Sequence, residues 1–117
     1  MTKKLTLSGP ETLRNPLNGT LHIEWYLLGK DGSGYYISWL EAAADTGLPE
    51  CMAFEAKTGA DGIACVTNWR ERAVSYNPDA ALALEEVVEQ LGERFHVVVS
   101  VGSPESALRP GEVVSDE

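Results

Sequence analysis

The chain has 117 residues with 18 acidic and 9 basic side chains, which gives a formal net charge of −9. This length is typical of one domain with its own hydrophobic core, and the negative charge disfavours direct binding to nucleic acid. No apolar run approaches the roughly 20 residues that span a bilayer, and the start of the sequence lacks the apolar region of a signal peptide. We therefore expect a cytoplasmic protein.

The first part of the chain predicts two strands separated by a loop. Residues 3–7 alternate between polar and apolar side chains, and residues 9–19 are rich in glycine, proline and asparagine, which is typical of a loop. Residues 20–28 predict a stronger strand, because the alternation continues over its whole length. One face of this strand carries Leu21, Ile23, Trp25 and Leu27, and the other carries His22, Glu24 and Tyr26.

A turn at residues 30–34 and a short helix over residues 38–47 are predicted next. The sequence Ser38-Trp39-Leu40-Glu41 has the form of a capping box, in which the hydroxyl and the carboxylate close the first helical turn. Three alanines follow, and Gly47 is typical of a helix end. The helix could also begin earlier, near Gly34.

Two further strands are predicted on either side of a glycine-rich loop. The first covers residues 50–57, with Met52, Phe54 and Ala56 facing inward, and the second covers residues 63–68. Residues 69–76 alternate only weakly and could form a third strand.

A second helix is predicted from Asn77 to Glu93. Asn77 is a favoured capping residue, and Pro78 suits the first helical position, where its missing N–H costs nothing. Ala81, Leu84, Val88 and Leu91 recur with the helical period, and Gly92 is expected to end the helix. Residues 95–101 then predict a strand.

Together these elements predict an α+β fold, in which a mostly antiparallel sheet of about five strands has two helices packed on it. Residues 1–102 are expected to form a single domain. Residues 103–117 lack any periodicity, so we expect a mobile acidic tail that can be deleted without loss of folding. The expected core is formed by apolar residues on the inward faces: Ile23, Trp25, Phe54, Leu84, Val88, Leu91, Val97 and Val99.

The sequence gives no reason to assign a catalytic, cofactor-binding or metal-binding residue. It has no phosphate-binding loop and no dinucleotide-binding fingerprint. His22 and His96 fall at strand positions that we expect to be half-exposed, so a Cys–His nucleophile pair has no local support and an enzyme is only an alternative. In the predicted hairpin Cys51 would lie nearer Asn68 than Cys65, so we expect two buried free thiols rather than a disulfide.

The second predicted helix carries five acids and no base on a face of its own, which makes it the candidate partner-binding site. Glu85 and Glu89 are four residues apart, a separation of about 6 Å on a helix, which approximates the spacing of phosphates along a nucleic-acid strand. The face could be merely solvated, because acidic surfaces aid solubility. It could also bind a basic protein surface through the acids and an exposed leucine among them: Asp79, Leu82, Glu85, Glu86, Glu89 and Glu93.

Residues 73–101 resemble a pattern in small phage proteins of the phage ABA-sandwich type. In that pattern a Tyr-Ser/Thr-x-Asp turn leads into an alanine-rich helix that ends in Val-Val-Glu-x-Leu and is followed by a strand. Asn77 departs from the pattern's Ser/Thr. The matching residues are Tyr76, Asp79, Ala81, Val87, Val88, Glu89 and Leu91. The resemblance implies a phage or prophage origin and implies no catalytic residues.

The resulting hypothesis is a phage-encoded inhibitor that binds a host nucleic-acid-handling protein, such as a CRISPR-type defence complex, through its acidic surface. This assignment to anti-CRISPR or other anti-defence proteins is an analogy of class. An immunity-type protein that neutralises a basic toxin and a phage accessory or structural protein are the alternatives. If the acidic helix is not the interface, the next candidates are the loop at residues 30–36, with Tyr35 and Tyr36, and the segment Trp69–Arg72.

Overall fold

The computed structural model describes residues 3–100, which form six strands and one helix. The strands are β1 (Lys3–Arg14), β2 (Leu21–Leu28), β3 (Ser33–Leu40), β4 (Glu50–Thr58), β5 (Ala64–Ser75) and β6 (Val97–Ser100), and the helix is α1 (Ala80–Phe95). The predicted domain boundary at residue 102 and the predicted tail at residues 103–117 lie outside the described residues. Within them, no helix is long and apolar enough to cross a membrane.

All six strands belong to one sheet, which curves into a half-barrel. The first five strands form an antiparallel meander, and β6 returns after α1 to lie parallel to β1, so the strand order is β5-β4-β3-β2-β1-β6. The two edges of the sheet are therefore β5 and β6. The predicted combination of about five strands and two helices is wrong, because the described chain has six strands and a single helix.

The predicted helix over residues 38–47 is wrong because its first residues belong to β3, a strand paired on both sides. Ser38 lies opposite Glu24 in β2 and opposite Met52 in β4. The carboxylate of Glu41, expected to close a helical turn, instead accepts a hydrogen bond of 3.0 Å from the backbone N–H of Leu21. Backbone pairing with two neighbouring strands outweighs the local capping signal.

Close packing of β3 against β2 depends on Gly34. A Cβ atom at this position would lie 2.9 Å from the Cα atom of Leu28, closer than real Cβ contacts come. Gly34 therefore marks a close approach of two backbones rather than the start of a helix.

The inward and outward faces of β4 are the reverse of the prediction around residues 51–54. Cys51 and Ala53 are buried beneath α1, whereas Met52 and Phe54 lie on the opposite face. Cys51 pairs with Ser75 rather than lying near Asn68, because β5 continues through residues 69–75 and irregular register near Glu55 shifts the pairing.

The core lies between α1 and one face of the sheet. Its fully buried side chains include Leu5, Leu27, Ile37, Val87 and Leu91. Of the predicted core, Trp25, Leu91 and Val97 are buried. Four others, Ile23, Leu84, Val88 and Val99, are only partly buried at its margin. Phe54 lies on the far face of the sheet and is outside this core.

The ends of α1 differ from the prediction by two or three residues. Asp79, not Asn77, is the N-cap, and its carboxylate accepts hydrogen bonds from the backbone N–H groups of Ala81 and Leu82 at 3.0 and 3.1 Å. At the other end the helix passes through Gly92, and His96 adopts the left-handed conformation with φ of 56°. A Cβ atom on Gly92 would lie 3.2 Å from the carbonyl oxygen of Val97, so this glycine permits close packing and does not end the helix.

Candidate functional site

Two of the predicted partner-binding acids are used within the protein itself. Asp79 caps α1. The Glu86 carboxylate accepts hydrogen bonds from the Ser75 hydroxyl at 2.6 Å and from the Asn77 side-chain amide at 3.0 Å. These two bonds lower the pKa of Glu86. Both carboxylates therefore hold α1 in place, and they are less available to a partner than the other three acids.

The other three predicted acids form a free row along α1. Glu85, Glu89 and Glu93 are exposed and follow one another at intervals of four residues, which places neighbours about 6 Å apart. Among residues 3–100, none of these carboxylates forms a hydrogen bond or an ion pair with another side chain. The nearest base in sequence, Arg94, donates instead to the backbone carbonyl of Arg72 in β5. The row is thus an uncompensated line of negative charge.

An open groove of about 520 Å³ lies beside this row. It forms where α1 passes over the edge of the sheet that contains β1 and β6, and its walls are mostly apolar. The lining residues are Leu7, Leu82, Leu84, Glu85, Glu86, Val88, Glu89 and Val99. Leu82 is 48% exposed, as predicted. Leu84 and Val88 were expected in the core and instead contribute apolar walls to this groove.

The opposite face of the sheet carries a polar cluster that the sequence analysis missed. The Ser38 hydroxyl lies 2.8 Å from Nε2 of His22, and the Tyr36 hydroxyl lies 3.4 Å from the same nitrogen. Tyr36 also donates a hydrogen bond to the Glu24 carboxylate. Burial and this contact with Glu24 raise the pKa of the Tyr36 hydroxyl well above its usual range. The alternation of β2 had placed His22 and Glu24 together, but their partners lie on β3, where a turn and a helix were expected.

This cluster contains a serine, a histidine and a carboxylate, but it lacks the geometry of a charge-relay triad. In such a triad the carboxylate holds the ring nitrogen remote from the serine. Here Ser38 and Glu24 both approach Nε2 of His22, at 2.8 and 3.6 Å. The cluster therefore does not supply an activated serine, and it serves to satisfy half-buried polar groups.

The remaining nucleophiles and ligands do not converge on a site. Cys51 is buried and Cys65 is exposed, so the prediction of two buried thiols is wrong for Cys65, and both thiols are free. His96 caps the end of α1 on the other side of the sheet from His22. Within the described range, no group of three or more His, Cys, Asp or Glu side chains could hold a metal ion.

Aromatic side chains form a row next to the polar cluster, across strands β2 to β5. The ring centroids are 5.3 Å apart for Tyr26 and Tyr36, 6.4 Å for Tyr36 and Phe54, and 5.1 Å for Phe54 and Trp69. The row ends at Trp69, which is 70% exposed. Beneath this end lies a second cavity of about 290 Å³, which His22 and Ser38 also line.

Neither a protein-family profile, nor a curated protein, nor a solved structure matches the chain. The resemblance of residues 73–101 to phage ABA-sandwich proteins therefore stays a prediction. Two surfaces of the described chain have the features of a binding site: the groove beside α1 with its acidic row, and the aromatic face on the opposite side of the sheet.

Proposed function

We propose that this protein is a non-catalytic binding protein that holds a basic, amphipathic segment of a partner protein in the groove beside α1. The observation that carries this proposal is the coincidence of two features. The carboxylates of Glu85, Glu89 and Glu93 have no partner among the described residues, and the groove beside them is walled by leucine and valine. A segment with lysine or arginine along one side and apolar residues along the other would match both features.

The energetics favour such an occupant. Like charges four residues apart on a helix cost a few tenths of a kcal/mol per pair, and bound cations would relieve that cost. Each rim charge contributes little by itself, so most of the affinity would come from the apolar walls, with Leu82 as an exposed anchor. The protein's own residues 103–117 are a poor match, because they carry four acidic side chains against one basic one.

The biological setting that we propose is inhibition of a host nucleic-acid-handling protein, of the CRISPR-defence kind, by a phage-encoded protein in the host cytoplasm. A row of carboxylates about 6 Å apart resembles a phosphate backbone, so it suits a groove that normally holds nucleic acid. An immunity-type protein that neutralises a basic toxin would use the same surface. A phage accessory or structural protein stays an alternative, and the carboxylate row beside an apolar groove supports the inhibitor more directly, because it offers a surface that matches a basic partner.

The direct test uses two variants of equal net charge. The site variant combines Glu85→Gln, Glu89→Gln and Glu93→Gln, and the control variant combines Glu11→Gln, Asp45→Asn and Glu71→Gln, which are exposed acids elsewhere. The probe is a synthetic amphipathic helical peptide of leucine and lysine, and a peptide with glutamate in place of lysine is the negative control. Calorimetry gives the affinities at low and at physiological salt.

We expect the wild type and the control variant to bind the lysine peptide, and the site variant to bind it much more weakly. Added salt should weaken the wild-type complex, because the row is exposed. Leu82→Ala should speed dissociation and change association little. Equal affinity of the site and control variants would show that the row is only solvated. If the site variant binds more weakly than the control variant, capture from a host lysate on the wild type, with the site variant as the reference, would identify the partner.

A further inference from the structure

The cavity of about 290 Å³ lies on the sheet face opposite α1. Its residues come from four neighbouring strands and all project from the same face, because Tyr36 pairs with Phe54 and Ser38 pairs with Met52 across β3 and β4. The volume suits a small ligand or a single side chain, since pockets for drug-sized molecules measure about 300–1,000 Å³.

Two aromatic rings form a corner at the mouth of this cavity. Phe54 and Trp69 meet edge to face, with ring planes inclined at 62° and centroids 5.1 Å apart. Tyr36 lies behind Phe54 in a nearly parallel orientation, inclined at 22°. A group in the corner would contact the faces of two rings. Aromatic faces carry partial negative charge, so they attract cations.

A carboxylate lines the same cavity without a counter-ion. Glu50 is partly buried in the wall, and among residues 3–100 it forms no ion pair. Burial, together with the negative charges of Asp45 and Glu71, raises the pKa of Glu50. A cation in the cavity would compensate for the hydration that the Glu50 carboxylate loses on burial, and it would offset the repulsion from Asp45 and Glu71.

We infer that this cavity binds a small organic cation, an alkylammonium or guanidinium group, between the rings of Phe54 and Trp69 and the carboxylate of Glu50. A phosphate or a nucleic acid would be repelled by Glu50 and Glu24. A neutral sugar could stack on Trp69 and donate hydrogen bonds to Glu50, but it would leave the negative charge of the carboxylate uncompensated, so a cation matches the cavity better. The cation could belong to a free amine or to a lysine or arginine side chain of a protein, and the test distinguishes these two sources.

The experiment titrates the protein with choline, with glucose as a neutral control, and with a short peptide that contains trimethyl-lysine. Binding is followed through the indole N–H signal of Trp69 in nuclear magnetic resonance spectra. In the Trp69→Ala variant, which lacks this signal, binding is followed through the backbone N–H signals of Met52 and Phe54, which line the same cavity. The signal of Trp69 is assigned by its loss in the Trp69→Ala variant, and the signals of Trp25 and Trp39, both 5% exposed, serve as internal references. The variants are Trp69→Ala and Glu50→Gln, with Ile63→Ala as the control, an exposed apolar residue just before β5.

We expect choline to shift the Trp69 signal and glucose to leave it unchanged. Trp69→Ala should weaken choline binding about 2- to 30-fold, the range that corresponds to a cation on an aromatic face. Glu50→Gln should weaken choline binding as well, and Ile63→Ala should not. Tighter binding of the peptide than of choline would identify a protein side chain as the source of the cation, whereas equal affinity would indicate a free amine.

Two results would overturn the inference: no binding of either cation at millimolar concentration, or binding of glucose as tight as that of choline. The outcome is independent of the groove beside α1, because the two sites lie on opposite faces of the sheet. The variant with glutamine at positions 85, 89 and 93 should therefore bind choline as the wild type does. Loss of peptide binding at the groove would leave the choline titration unchanged.

Discussion

The side chain of Gln90 pairs with both backbone polar groups of Val74. Its amide nitrogen donates to the Val74 carbonyl at 2.7 Å, and its amide oxygen accepts from the Val74 N–H at 3.1 Å. Val74 belongs to β5, an edge strand of the sheet. Gln90 thus supplies the hydrogen bonds that a further strand would supply, and it blocks this point of the edge from pairing with another chain.

Replacing Gln90 by leucine should lower the free energy of unfolding by about 1–3 kcal/mol, because a part-buried donor and acceptor on Val74 lose their partners. Urea unfolding measures this loss, and hydrogen exchange should show a faster amide at Val74. The adjacent Glu89→Leu change, at an exposed position, should stay within about 0.5 kcal/mol. An unchanged exchange rate at Val74 would contradict the role of Gln90.

Substitution by alanine should affect the free energy of unfolding strongly at one leucine of α1 and hardly at another. Leu91 is fully buried and Leu82 is 48% exposed. Leu91→Ala should cost about 2–5 kcal/mol of unfolding free energy, because it removes buried methyl groups and leaves a cavity. Leu82→Ala should stay within about 0.5 kcal/mol. Thermal and urea unfolding of both variants checks the orientation of the helix. Similar losses of unfolding free energy at the two positions would refute that orientation.

Glu86 should make stability depend on pH in the acidic range. Hydrogen bonds from Ser75 and Asn77 hold the pKa of Glu86 below its ordinary value of 4.5 in the folded protein. Its stabilising contribution is therefore complete above the unfolded pKa and is lost as the pH falls through the folded pKa. The difference in unfolding free energy between the wild type and Glu86→Gln should be constant near neutral pH and shrink below pH 4.5.

The Ser75→Ala variant tests the cause of this shift. Removal of the hydroxyl should raise the pKa of Glu86 towards its ordinary value, which a carboxyl-carbon titration by nuclear magnetic resonance measures. If that pKa does not change, the Ser75 hydroxyl is not responsible for the shift.

The two cysteines should differ sharply in reactivity. Cys51 is fully buried, and burial together with the charge of Glu86 raises the pKa of its thiol to about 12. Cys65 is exposed. A disulfide reagent should therefore modify one thiol of the native protein quickly and the second only after unfolding. Cys65→Ser should remove the fast reaction and Cys51→Ser should keep it; a fast reaction in Cys65→Ser would mean that Cys51 is accessible.

Local patterns predicted α1 and β2 because their signals are strong and self-contained. The alternation of β2 assigned both faces correctly, and the bounds of α1 differ from the prediction by only two or three residues at each end. The predicted apolar repeat of α1 was wrong in its face, because Ala83, Val87 and Leu91 are the buried residues and only Leu91 belongs to that repeat. Local patterns could not predict which acidic side chains of α1 form hydrogen bonds within the protein. Glu86 is occupied by Ser75 and Asn77, and those contacts depend on where β5 ends relative to the helix.

The errors in β3 and β4 come from packing between elements. Ser38 and Glu41 suit a helix cap locally, but β3 is a central strand whose pairing on both sides overrides that preference. In β4 the larger side chains, Met52 and Phe54, suggested the inward face. The small residues Cys51 and Ala53 lie there instead, because α1 passes directly over them.

The aromatic cavity could not be predicted from the sequence for the same reason. Tyr36 and the Trp69 segment were each named as a possible surface if the acidic helix failed. Their meeting on one face requires residues 33–40 to be a strand between β2 and β4, and the prediction of a turn and a helix separated them.

The parallel pairing of β6 with β1 has a consequence for the nascent chain. Lys3 lies beside Val97, so the outer edge of β1 cannot be covered until almost all of the described chain has left the ribosome. Until then β1 presents unpaired backbone groups that could bind another nascent chain. Lys3 and Lys4 lie on this strand and are exposed, and lysine at an open edge discourages such pairing. The second neighbour of β1 is thus the last strand of the described chain to be synthesised, and the two lysines at the start of β1 discourage its pairing with other chains during translation.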